Sequence, residues 1–127
     1  MKFMLIIAAI LFFNLPGKSQ WTETRGPYGA DVYCLASNDN YIFAGTAGGI
    51  YRSTDQAFNW SFLENGVPRD AVYSITISGE KIFAGFYGKG VFYSADNGNS
   101  WIEANNGLTN RNVFSLVYGA VNLVFKR

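Results

Sequence analysis

The chain has 127 residues, with 10 basic and 9 acidic side chains and no histidine. That near-balance argues against a polyanion-binding surface, so no nucleic-acid partner is expected. Aromatic residues reach 17%, with 14 glycines and only 3 prolines, which reads as β-rich and excludes a disordered chain.

Met1 and Lys2 precede an unbroken apolar run, FMLIIAAILFF (3–13), and then NLPGKSQ with Pro16, Gly17 and Ser19. This is the three-part layout of a secretory signal peptide, and cleavage after Ser19 would leave Gln20 as the new N-terminus. The run falls well short of the roughly 20 apolar residues that a membrane span requires. Residues 1–19 are therefore read as a signal peptide and 20–127 as the exported chain, secreted or held in the periplasm or at the cell surface, with no stable membrane span after cleavage. Cys34 is the single cysteine, so no intramolecular disulfide forms. Within DVYCLA it reads as a small core residue, and without histidine there is no partner to activate it as a nucleophile.

From residue 31 onward the chain repeats itself. DVYCLASNDNYIFAGTAGGIYRSTDQAFNW (31–60) aligns with AVYSITISGEKIFAGFYGKGVFYSADNGNSW (71–101), and a third copy opens at GLTNRNVFSLV (107–117). In the second copy AVYSITIS, KIFAGF, GVFYS and WIEA are short extended runs separated by Gly/Asn turns. Four strands in about 40 residues describe one blade of a β-propeller. IFAG, with no polar alternation, fits a strand buried on both faces between neighbouring blades. The expected fold is all-β: a partial β-propeller of about two and a half four-stranded blades. Its blades are assigned to 31–63 and 71–104, with a third starting at 112–127. Trp21 precedes Val32 at nearly the spacing at which Trp60 precedes Val72, so 20–24 reads as the outer strand that would close a ring.

The turn ending each unit resembles the Asp-box (BNR) repeat, S/T-x-D-x-G-x-x-W. Ser94, Asp96, Gly98 and Trp101 match it fully; Ser53, Asp55 and Trp60 match with Ala57 at the glycine position. Their surroundings look like sialidase-type, photosystem-assembly-factor-type, xyloglucanase and sortilin propellers. A resemblance of fold does not select among these activities. If the glycine position needs positive φ, alanine makes the first turn strained or differently shaped. An aspartate at such a turn accepts backbone N–H bonds two or three residues on, and the tryptophan covers the turn or wedges between blades. A device repeated in every blade is structural, so Asp55 and Asp96 are read as turn-formers and no residue as catalytic.

The resemblance places a ligand face at the opposite end. There the loops 22–31, 64–71, 103–112, 46–49 and 86–90 bring Arg25, Asp31, Arg69, Asp70, Tyr87, Lys89 and Arg111. Arg25, Arg69 and Arg111 invite comparison with a sialidase arginine cluster. They stand at different distances from their following strands, however, and the Arg-Ile-Pro signature of sialidases is missing. A glycosidase needs two carboxylates across a cleft, roughly 5–9.5 Å apart. Asp31 and Asp70 precede equivalent strands, while Glu64, Glu80 and Glu103 read as exposed loop positions. No metal-ligand spacing is present, and neither GTAGG nor GFYGKG is followed by a helix pattern that would make it a phosphate loop. No cofactor or metal is expected.

A propeller needs four to eight blades. The chain is therefore read as a fragment of a longer exported propeller that serves binding or scaffolding, with a glycan or protein ligand. The alternative is a fragment of a sialidase- or xyloglucanase-like glycoside hydrolase. Open blade edges would also allow self-association.

Overall fold

In the computed structural model, residues 23, 26, 27, 30–118 and 123–126 are described. The signal-peptide reading of 1–19, Trp21 and Arg25 lie outside them; of the 20–24 segment only Glu23 is described, exposed and in no regular element. The described elements are β1 (Val32–Ser37), β2 (Ile42–Thr46), β3 (Gly49–Ser53), β4 (Ser61–Leu63), β5 (Val72–Ser78), β6 (Lys81–Phe86), β7 (Gly90–Ser94), β8 (Ile102–Glu103), β9 (Ser115–Tyr118) and β10 (Leu123–Lys126). The fold is all-β, with no helix among the described residues. There is accordingly no helix there long and apolar enough to cross a membrane.

The strands form two antiparallel four-stranded meanders, β1-β2-β3-β4 and β5-β6-β7-β8, and a β9-β10 hairpin. The connections are short because each turn carries residues suited to it. Asn38 accepts from the backbone N–H groups of Asn40 and Tyr41 to form the β1–β2 turn. The β5–β6 turn instead runs through Gly79 at φ 64°.

The units stack through their first strands, with β1 and β2 against β5, and β5 and β6 against β9. Between the first two sheets lies the main core, with Phe43, Ile50, Leu63, Val72, Ile75, Ile82, Phe86, Phe92 and Trp101 buried together. Val91, Val113 and Leu116 form the smaller core under β9.

One contact recurs at both seams. A Cβ added to Gly45 would lie 2.8 Å from Val72 Cγ1 and would collide with Cys34 Sγ. One added to Gly85 would lie 2.6 Å from Val113 Cγ1 and 3.2 Å from the Val113 carbonyl oxygen. The glycine of IFAG is therefore where the next unit's first strand approaches the backbone.

β1 and β5 share a second local feature. The register of β1 on β2 shifts between Val32 and Cys34, and that of β5 on β6 between Val72 and Ser74. Tyr33 and Tyr73 are thus the extra residues of two equivalent β-bulges, which re-aim their side chains.

Candidate functional site

The register puts the two groups of sequence-singled residues at opposite ends of the sheets. Ile42 pairs with Ser53 and Ile82 with Ser94 at one end, where the Ser-x-Asp turns leave β3 and β7. Thr46 pairs with Gly49 and Phe86 with Gly90 at the other, where the first strands begin.

The two turns are built alike. Ser53 Oγ donates to Asp55 Oδ1 (2.9 Å) and accepts from the Ala57 N–H (2.8 Å). Ser94 Oγ donates to Asp96 Oδ1 (2.8 Å) and accepts from the Gly98 N–H (2.8 Å). Each carboxylate reaches four residues on, farther than the two or three expected. Asp55 accepts from the Asn59 N–H and Nδ2, both at 2.8 Å. Asp96 accepts from the Ser100 N–H (2.9 Å) and Oγ (2.6 Å). These bonds favour the ionised form, so both carboxyls lie below the usual aspartate range. For Asp55 the Asn59 backbone bond is the largest cause; for Asp96 it is the Ser100 hydroxyl.

The turns differ in setting. Gln56 (φ 60°) and Ala57 (φ 75°) are left-handed, as are Asn97 (φ 57°) and Gly98 (φ 86°). A side chain at Gly98 would come 2.9 Å from Phe43 Cε1 and 3.2 Å from Leu63 Cδ1, because the second turn rests on the first sheet. Trp101 is buried in that seam and its Nε1 donates to the Gly98 carbonyl (3.0 Å). Trp60 is only half-buried, and its indole nitrogen has no partner among the described residues.

Arg52, which the sequence reading passed over, fastens the second turn to the first sheet. Its Nη1 donates to the Asn97 carbonyl (2.8 Å) and to Asn99 Oδ1 (2.9 Å), and its guanidinium lies 5.1 Å from the centre of the Tyr41 ring. Asn65 adds to the seam: its carbonyl accepts from the Trp101 N–H and its Nδ2 donates to the Asn99 carbonyl, both at 3.0 Å.

At the opposite end, the β2–β3 and β6–β7 loops are tied to the segments entering the first strands. Ala47 N–H donates to the Asp31 carbonyl, Tyr87 N–H to Ala71 and Gly90 N–H to Arg111. Asp31, Asp70, Tyr87, Lys89 and Arg111 therefore belong to one end of the molecule.

Their side chains do not form a cationic cluster. Arg69 is exposed, pairs with Glu64 at 2.5 Å and lies over the Phe62 ring at 4.6 Å. Exposed Arg111 stands 4.0 Å from Glu103. Each arginine is thus paired with the acid of its own loop. No group of three His, Cys, Asp or Glu side chains among the described residues has the arrangement of a metal site.

Cys34 is half-buried at the first seam, its Sγ donating to the Val72 carbonyl at 3.7 Å. Burial pushes its pKa up to about 11, against the smaller opposing effect of the Gly45 and Ile75 backbone. It remains a thiol near neutral pH and is a poor nucleophile there.

Four aromatic rings gather at this end, and Tyr87 is the one among them that the loop pattern singles out. Tyr33 and Tyr73 stack at 4.9 Å with planes 3° apart. Phe114 tilts against Tyr73 at 5.2 Å, and Tyr87 meets Tyr73 at 6.2 Å and Phe114 at 6.1 Å. The signal was present in VY, VY and VF, which recur at the start of each unit.

No family model matches the chain, and no curated protein does. Among solved structures it is similar to the computationally designed Ika4 protein, at 14% identity and a TM-score of 0.57, over 72% of this chain and 56% of that one. It is also similar to the extracellular domain of BT4673 from B. thetaiotaomicron, described as a hybrid two component system. That likeness has 15% identity and a TM-score of 0.58, over 87% of this chain and 15% of that one. The chain thus spans little more than half of the first and a small part of the second, and at these identities the likeness is one of fold alone.

Proposed function

We propose that the chain is a run of Asp-box propeller blades from an exported protein, and that it binds a ligand at the end where the first strands begin. The carrying observation is the equivalence of the seams. Ile75 and Leu116 hold the same position in their units and are 9% and 7% exposed, each against the preceding sheet. Leu35, the first unit's counterpart, is 65% exposed. An apolar side chain at an interface position, in water, fits a further unit stacked on the first sheet. Export is supported by the layout of residues 1–19, and binding by the loops and rings gathered at one end.

The glycoside hydrolase alternative finds less support. Glu64 and Glu103 face arginines, and Asp55 and Asp96 are committed to their turns. Of the carboxylates named in the loops at the end where the first strands begin, Asp31 and Asp70 are left for it, and hydrolysis of fluorogenic glycosides lost in Asp31→Asn and Asp70→Asn would favour that reading. The test of the main reading is an experimental structure of the protein as isolated from its source. It should show a further four-stranded sheet over Leu35; a solvent-facing Leu35 in the intact protein would refute the stacking.

A further inference from the structure

Three large rings, Tyr33, Tyr87 and Phe114, stand about half in water where the fold does not require them, and a fourth, Tyr73, is partly buried among them. The core positions at the strand starts are Val72 and Val113, fully buried. The residues after them, Tyr73 and Phe114, and the matching Tyr33, leave the core side and meet one another across three consecutive units. Tyr33 is 45%, Phe114 46% and Tyr87 53% exposed. A polar residue at the bulge would leave the seams intact, so burial alone gives no reason for an aromatic residue each time.

We propose that Tyr33, Tyr73, Tyr87 and Phe114 form a stacking platform for a neutral carbohydrate. The proposal rests on the binding-module reading and specifies its ligand. A sugar ring offers an apolar C–H face to an aromatic surface and hydroxyls to polar groups at the edge, and here tyrosine hydroxyls and the loop residues Asp31 and Lys89 share one end of the molecule. Both signs of charge occur in these loops, with Arg111 beside Glu103, so no excess selects a charged ligand.

The size of the patch also favours a small ligand. Side chains of this kind bury about 150–250 Å² when covered, so half-exposed rings offer together on the order of 300–400 Å². A specific protein partner needs about 800 Å² from each side. A proline-rich peptide docks in grooves between aromatic rings. Centroids 4.9–6.2 Å apart place these rings in mutual contact, with no slot between them.

The test is calorimetric titration of the purified full chain with cellohexaose, mannohexaose and laminarihexaose, and with a decaproline peptide. Tyr33 and Tyr87 are exposed enough to replace without unfolding the chain, which a thermal melt of each variant checks. At least one hexasaccharide should bind; Tyr33→Ala and Tyr87→Ala should each weaken it about tenfold, and Tyr87→Phe much less. Sugar binding unchanged in the Tyr33→Ala/Tyr87→Ala double variant would overturn the platform. Peptide binding lost in that variant, with no sugar bound, would overturn the ligand class while leaving the binding face standing. Binding of neither would overturn both.

Discussion

Ala57 and Gly98 occupy the same place in two turns of the same hydrogen-bonding pattern, at φ 75° and φ 86°, so exchanging their residue types gives opposite outcomes. A left-handed alanine costs about 1–2 kcal/mol that glycine avoids. Ala57→Gly recovers this, less about 0.4–1 kcal/mol for the freer unfolded chain and about 0.4 kcal/mol for half a buried methyl. The net is a stabilisation of about 0.5 kcal/mol, or a rise of about 2 °C in Tm for a chain of this size. Gly98→Ala incurs the strain and also drives a methyl to 2.9 Å from Phe43 and 3.2 Å from Leu63. Overpacking of that kind costs about 1–3 kcal/mol, offset by about 0.4–1 kcal/mol for the stiffer unfolded chain, so the total is about 2–4 kcal/mol and a fall of about 8–16 °C. Scanning calorimetry of the two variants measures both. A destabilised Ala57→Gly, or a Gly98→Ala melting like the parent, would refute the reasoning.

Gly85→Ala should destabilise by about 1–3 kcal/mol in urea melts, since its methyl would meet Val113, and adding Val113→Ala should restore part of the loss. Strictly additive losses would show that the two do not touch. Arg52→Ala removes two bonds to the second turn and the Tyr41 contact, and should cost about 1–2 kcal/mol. Arg52→Lys should recover only part of it, because one nitrogen serves both acceptors but the planar guanidinium over the Tyr41 ring is lost. The depressed carboxyls of Asp55 and Asp96 set an acid dependence. Their contribution is fully present above the unfolded carboxylate range, about pH 4, and is lost as pH falls through their lower folded values. Tm measured from pH 6 to pH 2 should decline at the acid end, and more gently in an Asp55→Asn/Asp96→Asn variant.

The strands were legible because each repeat states them again: KIFAGF and GVFYS coincide with β6 and β7, and IFAG lies within β2 and β6. The Ser and Asp of the turns were legible because their partners lie within a few residues. Asn59 and Ser100 were missed because a polar residue before a tryptophan looks like any turn residue, although both supply the outer bonds to the carboxylate. Arg52 could not be read locally, since its acceptors lie 45 and 47 residues away on the next unit. The bulges were hidden inside the apolar runs DVYCLA and AVYSIT, where no break in alternation marks the extra residue. Gly45 and Gly85 did carry a signal, a glycine inside a strand, but the valine that requires it belongs to the following repeat.

The central claim is that the outer face of the first sheet is an interface position rather than a surface. Light scattering behind size-exclusion chromatography, run over a concentration series on the full chain and on Leu35→Glu, tests it most directly. The account predicts that the parent chain associates as concentration rises and that Leu35→Glu remains a monomer with an unchanged melt. A parent chain that stays monomeric throughout, with Leu35 open to water, would contradict it.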